Sequence, residues 1–407
     1  MNGILPSRAW LTVGLLWVVG CLNYLDRVMI ATMRGSIKEV IPMTDAQFGL
    51  LTTVFLLVYA TLSPFAGFLA DRFNRSRVII GSLFFWSFVT WLTAHAKTYD
   101  QLLLTRALMG VSEACYLPAA LALITDYHRG STRSLANGIH LSGVMVGSAL
   151  GGIGGWLAER HGWAYAFNLF GLIGIGYSFV ILLLLRNPPE AARLDEAGPA
   201  PTVRIGEAMT SLFSRPAFIV ALVFWGMLGI GGWAVMGWMP TYLNEHFSLS
   251  QGTAGLSATG YGSIAALIGM IVGGAWADRW SRTNPRARIF VPMIGLLIAA
   301  PGILLAASTP VLAVALAGLV CYGLARSFAD ANMMPILCMI SDARYRATGY
   351  GVLNFFACVV GGVTIYVGGL LRDAHIDISR VFQFGSASIA ACAVLLFFIK
   401  PQSESQS

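Results

Sequence analysis

Six ionisable side chains stand inside runs that are otherwise apolar: Asp26, Arg27, Arg106, Glu113, Arg326 and Asp330. A carboxylate so placed can load and unload a proton, because burial favours the neutral acid and a nearby guanidinium favours the anion. A guanidinium offers a planar fork of donors matched to the two oxygens of a carboxylate. Holding a charge at the centre of a membrane helix costs at least ~2.5 kcal/mol. Six of them would not persist against lipid, so they must face a watery cavity or one another.

Arg106 and Glu113 are two helical turns apart, on one face and about 10 Å from each other. Asp26 sits at a depth near that of Arg106, which pairs it with Arg106 or with Arg27. Asp26 and Glu113 are therefore the proton-coupling candidates, and Arg27 and Arg106 the candidates to hold an anion. An anion that engages the arginine would release the carboxylate to take a proton, which is symport in chemical terms. The competing reading is a static ion pair that joins two helices. Arg326 and Asp330 stand i, i+4 and either neutralise each other or meet the substrate. Asn23, Tyr24, His140, Tyr261, Asn332 and Asn354 add uncharged polar groups for hydroxyl recognition or helix packing. Trp225, Trp233 and Trp238 serve packing or, in the alternative, stacking against a ring.

Those residues need elements to carry them. The chain has 407 residues, 57% hydrophobic and 11% charged, against roughly 25% charged in soluble domains. About 20 apolar residues cross a bilayer. Such runs lie near 10–33, 47–70, 78–96, 100–124, 134–158 and 163–185, then near 217–243, 252–277, 287–307, 310–339, 347–370 and 380–399. Helices are expected, since open strands leave backbone groups unsatisfied in lipid and no period-2 alternation marks a barrel. The first run is too long for a signal-peptide core and no small-residue cleavage site follows it, so it reads as a retained span. A proline-rich polar stretch at 186–216 divides the chain into residues 1–185 and 217–407.

The net charge of +7 and pI of about 9.2 come from arginines in short junctions rather than from a nucleic-acid-binding face. Arg72, Arg75, Arg77, Arg129, Arg133, Arg279, Arg282, Arg286, Arg288, Arg344 and Arg346 fall on one side. Arg34, Lys38, Lys97, Arg160, Arg372 and Arg380 fall on the other. The positive-inside rule then puts both termini and the linker in the cytoplasm. No phosphate-binding loop is present, and neither a cofactor nor a metal is implied. The six cysteines form no Cys-x-x-Cys pair.

The chain also repeats itself. GFLADRFNR at 67–75 is echoed by GAWADRWSR at 274–282, and Glu113 precedes Pro118 as Asp330 precedes Pro335. This is the mark of an internal duplication. The repeated G-x-x-x-D-R-x-x-R loop resembles the signature of the major facilitator superfamily, with Asn74 where glycine is usual. That resemblance implies an all-α membrane fold of twelve helices in two pseudo-symmetric six-helix halves. It also implies that helices 1, 4, 7 and 10 line the central cavity, and that Gly67, Asp71, Arg72, Arg75, Gly274, Asp278, Arg279 and Arg282 form gating loops. The bland reading of those arginines is topology alone. Within the superfamily, NYLDR (23–27) and RALMGVSEACYLPA (106–119) resemble the anion:cation symporters, and the spinster-like carriers share a similar arrangement. The expected function is a proton-coupled importer of a small organic anion, a sugar acid or related carboxylate, working as a monomer in a plasma (bacterial inner) membrane. Its substrate-binding set would be Arg27, Arg106, Tyr24, Asn23, Arg326, Asp330 and Asn354. The rivals are a spinster-like exporter of lysolipids, other amphipathic solutes or drugs, and a non-transporting sensor.

Overall fold

A computed structural model describes residues 6–72, 74–128, 132–188, 205–284 and 286–399. Side chains at a few helical positions, among them 66–72, lie outside the description. Among the described residues, twelve helices are long and apolar enough to cross a membrane. Spans 1–6 cover Ser7–Thr32, Asp45–Ser63, Arg75–Thr93, Tyr99–Tyr127, Leu135–His161 and Trp163–Leu184. Spans 7–12 cover Pro216–His246, Gln251–Ser281, Ala287–Ala306, Leu312–Ile340, Thr348–Asp373 and Ser379–Phe398. The helix of span 2 continues to Arg72.

Local chemistry explains where the helices start and falter. Asn74 caps span 3 by accepting from the Arg77 amide, and Thr98 caps span 4 by accepting from the Gln101 amide. Span 4 breaks at Cys115, between helices Tyr99–Ala114 and Tyr116–Tyr127. Pro118 is the cause, because its ring crowds the carbonyl of Ala114 and it offers no amide to that carbonyl. Span 5 is interrupted at Gly151–Gly152. Span 8 contains a π-turn at Ser257–Tyr261. Of the linker, residues 189–204 lie outside the description, and its later part forms the helix Ile205–Phe213 with Ala208 and Leu212 buried.

The chain divides into two compact units. Unit 1 comprises residues 1–43, 50–201 and 250–256; unit 2 comprises 44–49, 202–249 and 257–407. Inside unit 1, span 1 packs on span 5, span 3 on span 6, and span 3 on span 4. Inside unit 2, span 7 packs on span 11, span 9 on span 12, and spans 8 and 9 on span 10. The 1–5 and 3–6 pairings thus recur as 7–11 and 9–12, as a duplicated sequence requires. The unit 1 core holds Leu16, Leu83, Trp86, Tyr116 and Ile124, with Trp86 and Tyr116 edge to face at 5.4 Å. Burying these side chains against one another excludes lipid and fixes the helix registers on which the charged residues depend. Gly110 sets one close approach. A Cβ there would sit 2.7 Å from the carbonyl oxygen of Phe55, so only glycine lets span 4 lie against span 2 at this level.

Candidate functional site

Unit 1 gathers four of the charged residues in its interior. Asp26, Arg27, Arg106 and Glu113 are all buried, as is Asn23. Arg27 donates from Nη2 to Glu113 Oε2 at 2.8 Å and from Nε to the same oxygen at 3.3 Å. Three rings surround that guanidinium, with Tyr24 at 4.7 Å, Phe55 at 4.9 Å and Tyr59 at 4.7 Å. The rings supply cation–π attraction and exclude water, so the pair is both strong and dry.

This corrects two sequence readings. Arg27 pairs with Glu113, not with Asp26, so Glu113 is not the lone carboxylate expected from its own helix. Asp26 instead accepts from Thr90 Oγ1 at 3.3 Å through Oδ2, and its Oδ1 has no hydrogen-bond partner. Nor does Arg106 take a carboxylate. Its Nη1 reaches the Met109 sulfur at 2.9 Å, and its guanidinium lies 4.9 Å from the Phe55 ring. Arg106 Nε and Nη2 are buried without hydrogen-bond partners. An unfilled buried donor costs about 1–3 kcal/mol, and more when charged. Two such donors side by side on a fully buried cation have the geometry of a fork that matches the two oxygens of a carboxylate or phosphate. Phe55 therefore touches both guanidinium groups, and neither it nor Tyr59, Thr90 and Met109 was singled out from sequence. The spacing Phe55–Tyr59, one helical turn, was the available signal.

The uncharged candidates separate. Tyr24 belongs to the ring set around Arg27. The Asn23 amide nitrogen is buried without a partner. His140 is fully buried and bonds the Leu16 carbonyl through Nδ1 at 3.1 Å, which makes it a brace between spans 5 and 1. Asn332 donates to the Phe328 carbonyl of its own helix at 2.9 Å. Tyr261 is exposed and Asn354 half-buried. Trp225 and Trp238 are buried, and the Trp238 indole donates to the Ile365 carbonyl at 3.0 Å. Trp233 is half-buried and packs on Gly361. In unit 2, Arg326 Nη1 donates to Asp330 Oδ2 at 2.7 Å, the i, i+4 pairing expected. The guanidinium lies against Gly232, where a Cβ would meet Nη2 at 3.0 Å.

The repeated loops differ. The side chains of Gly67, Asp71 and Arg72 lie outside the described residues. Arg75 does pair with Asp126 across to span 4, and Asn187 accepts from the Ser76 amide and hydroxyl. In unit 2 the matching arginine, Arg282, is exposed and makes no ion pair among the described residues. Asp342, near the end of span 10 as Asp126 is near the end of span 4, is taken by Arg344, which holds its carboxyl below the usual range through hydrogen bonds. Gly274 is half-buried, Arg279 is exposed, and Asp278 pairs with Arg288 at 3.1 Å. The arginines of the second loop therefore do not reproduce the cross-helix contact of the first.

A charge cluster at the opposite ends of the unit 2 helices was not foreseen. Arg372 Nε donates to Asp45 Oδ2 at 2.9 Å, and its two terminal nitrogens each donate to Glu245 at 2.8 Å. Asp373 accepts from the amides of Asp45 and Ala46, capping the helix of span 2. Beside them a cavity of about 440 Å³ is lined by Tyr242, Glu245, His246, Arg372, His375 and Asp377, among others. These residues are scattered in sequence, and only tertiary packing brings them together.

Twelve apolar spans among the described residues, paired alike within two units, define a polytopic helical membrane protein. Residues 16–365 match the family model of the Major Facilitator Superfamily, and the chain belongs to that superfamily. It is 26% identical over 400 residues to an MFS-type efflux pump of Mycolicibacterium smegmatis, covering 96% of this chain and 90% of the pump. It is 30% identical over 319 residues to protein spinster homolog 1 of Homo sapiens, covering 74% of this chain. The matched part is 60% of that protein's length, so the chain spans about three fifths of its spinster relatives. Among solved structures it resembles a bacterial homolog of the human lysosomal transporter spinster, in an inward-facing, unoccupied conformation. The TM-score is 0.78 at 25% identity, covering 98% of this chain and 96% of that one. These relatives favour the spinster-like rival over the anion:cation symporters.

Proposed function

We propose that this chain is a proton-coupled secondary transporter of an amphipathic solute with an anionic head group, the spinster-like reading. The observation that carries it is the Arg106 guanidinium, buried with two open donors beside the dry Arg27–Glu113 pair. An anion arriving at Arg106 gains the donors that nothing else fills. It also competes with Glu113 for Arg27, since the two guanidinium groups share Phe55. Once Glu113 loses its cation, a proton is the cheapest way to neutralise it. Binding and protonation are thereby linked through Asp26, Arg27, Arg106 and Glu113. The rings of Tyr24, Phe55 and Tyr59 supply apolar walls suited to the stem of an amphiphile more than to the hydroxyls of a sugar acid. Residues 67, 71, 72, 75, 274, 278, 279 and 282 would gate the movement between conformations.

Reconstituted protein should be tested in liposomes under an imposed pH gradient, with a labelled lysophospholipid and a labelled sugar acid in parallel. Gradient-dependent movement of the lysophospholipid alone supports the reading. Movement of the sugar acid alone returns the chain to organic-anion import. Movement of neither, at any gradient, refutes coupled transport of both classes.

A further inference from the structure

The second signature loop has given up the contact its counterpart makes, and its arginines need another role. Arg279, Arg282, Arg286 and Arg288 lie within ten positions at the ends of spans 8 and 9, against one carboxylate, Asp278. Arg279 and Arg282 are exposed, and neither forms an ion pair among the described residues. The Arg286 guanidinium lies 5.3 Å from the Phe290 ring and 5.8 Å from the Phe397 ring of span 12. Its Nη2 donates to the Phe397 carbonyl at 3.2 Å, and its Nε is buried without a partner. The aromatic surface continues from Phe290 to Trp280 at 5.9 Å and from Trp280 to Trp276, stacked at 6.1 Å. Trp276, Phe397 and Phe398 are exposed. Tryptophans at the end of an apolar span mark the depth of lipid head groups.

We infer that this arginine–aromatic corner of unit 2 is a binding site for an anionic diacyl phospholipid. The phosphate would sit against Arg282 and Arg286, and the acyl chains would run down past Phe397 and Trp276. The charge is complementary, and a basic pocket between helices at head-group depth is the form such sites take. Topology alone would need arginines in the junction, but not one wedged between two rings with a buried, unfilled donor. Residue Arg288, held by Asp278, is a reserve donor.

The test uses the full chain purified in detergent, with binding read by native mass spectrometry. The probes are phosphatidylglycerol, phosphatidylcholine of the same acyl chains, and inorganic phosphate. Phosphatidylglycerol should be retained over phosphatidylcholine. Arg282→Gln, at an exposed position, should weaken it roughly fivefold, the worth of one arginine near the surface. Arg286→Gln should weaken it more. Asp278→Asn removes the acid and frees Arg288, so it should strengthen binding. Arg160→Gln, which removes an equal charge lying 4.1 Å over Trp156, should leave retention unchanged. Equal retention of both lipids, equal loss from Arg160→Gln and Arg282→Gln, weaker binding by Asp278→Asn, or saturation by free phosphate would each overturn the assignment.

Discussion

Arg27 donates through both Nε and Nη2 to a single oxygen of Glu113, Oε2, and the other oxygen, Oε1, is buried with no hydrogen-bond partner. The pair joins span 1 to span 4 through one oxygen of the carboxylate, with Oε1 outside it. A group that accepts two hydrogen bonds on one atom and none on the other is poised to exchange its partner.

Glu113→Gln keeps the shape of the side chain and removes its charge. Accumulation driven by a pH gradient should fall to the level set by the solute gradient, while solute-for-solute exchange survives. The measurement is uptake and counterflow by the same proteoliposomes. Full accumulation by the variant would remove Glu113 from coupling.

Arg106→Lys retains the charge but loses the planar fork. Affinity for an anionic ligand should drop by about 10- to 100-fold, the worth of a charge-assisted hydrogen bond. A neutral analogue of the same apolar stem should change little. Calorimetry on the matched ligands separates these outcomes, and equal losses for both would make Arg106 a packing residue.

Asp26→Asn bears on the second carboxylate, whose Oδ1 has no partner. Coupling should weaken while the melting temperature holds within a few degrees, because the Thr90 hydroxyl can still donate to the amide oxygen. A collapse of the melting temperature with no change in coupling per folded molecule would assign Asp26 to structure.

Gly110→Ala tests the platform under the arginines. The added methyl meets the Phe55 carbonyl at 2.7 Å and the Val58 side chain at 3.1 Å. Overpacking of this kind costs about 1–3 kcal/mol, and it displaces the ring shared by Arg27 and Arg106. Thermal unfolding in detergent and anion affinity should fall together; an unchanged affinity would show that Phe55 is not part of the receptor.

Arg372→Ala strips Asp45 and Glu245 of their shared cation in one step. The melting temperature should fall, and cysteines placed near Asp45 should label faster. Arg372→Lys should recover part of the loss, since the charge stays and the two-pronged contact with Glu245 goes. Unaltered labelling in the alanine variant would reduce the cluster to a surface ion pair of little worth.

Much of the architecture was legible because its cause is one-dimensional. Length, apolarity and the echo of GFLADRFNR in GAWADRWSR are properties of the chain read in order, and they require twelve helices in a duplicated arrangement. The set of buried charges was legible for the same reason, since a charge among apolar residues is visible wherever it stands. Their pairing was not. Which carboxylate meets Arg27 depends on the rotation and rise of span 1 against span 4, and those depend on contacts such as Gly110 on Phe55. The i, i+4 pair of Arg326 and Asp330 needed no such information and was anticipated. The Asp45–Arg372–Glu245 cluster has no pattern along the chain, because its members stand at the ends of three different spans. The divergence of the two loops was hidden for another reason: Asp126 and Asp342 both stand near the ends of their spans but differ in what lies beside them, Arg344 being only two residues from Asp342.

The open donors of Arg106 also bear on how the protein behaves on the bench. A buried cation with two unfilled donors burdens the fold that holds it. An apolar residue of similar volume relieves such a burden at no loss of fold, so Arg106→Met should yield more protein, melting at a higher temperature, that moves nothing. Selection for expression or heat tolerance would therefore drift towards inert variants at this position. Conversely, any anion that fits should raise the melting point of the wild type and leave Arg106→Met unmoved. An additive that raises the melting point of the wild type alone is then a clue to the cargo.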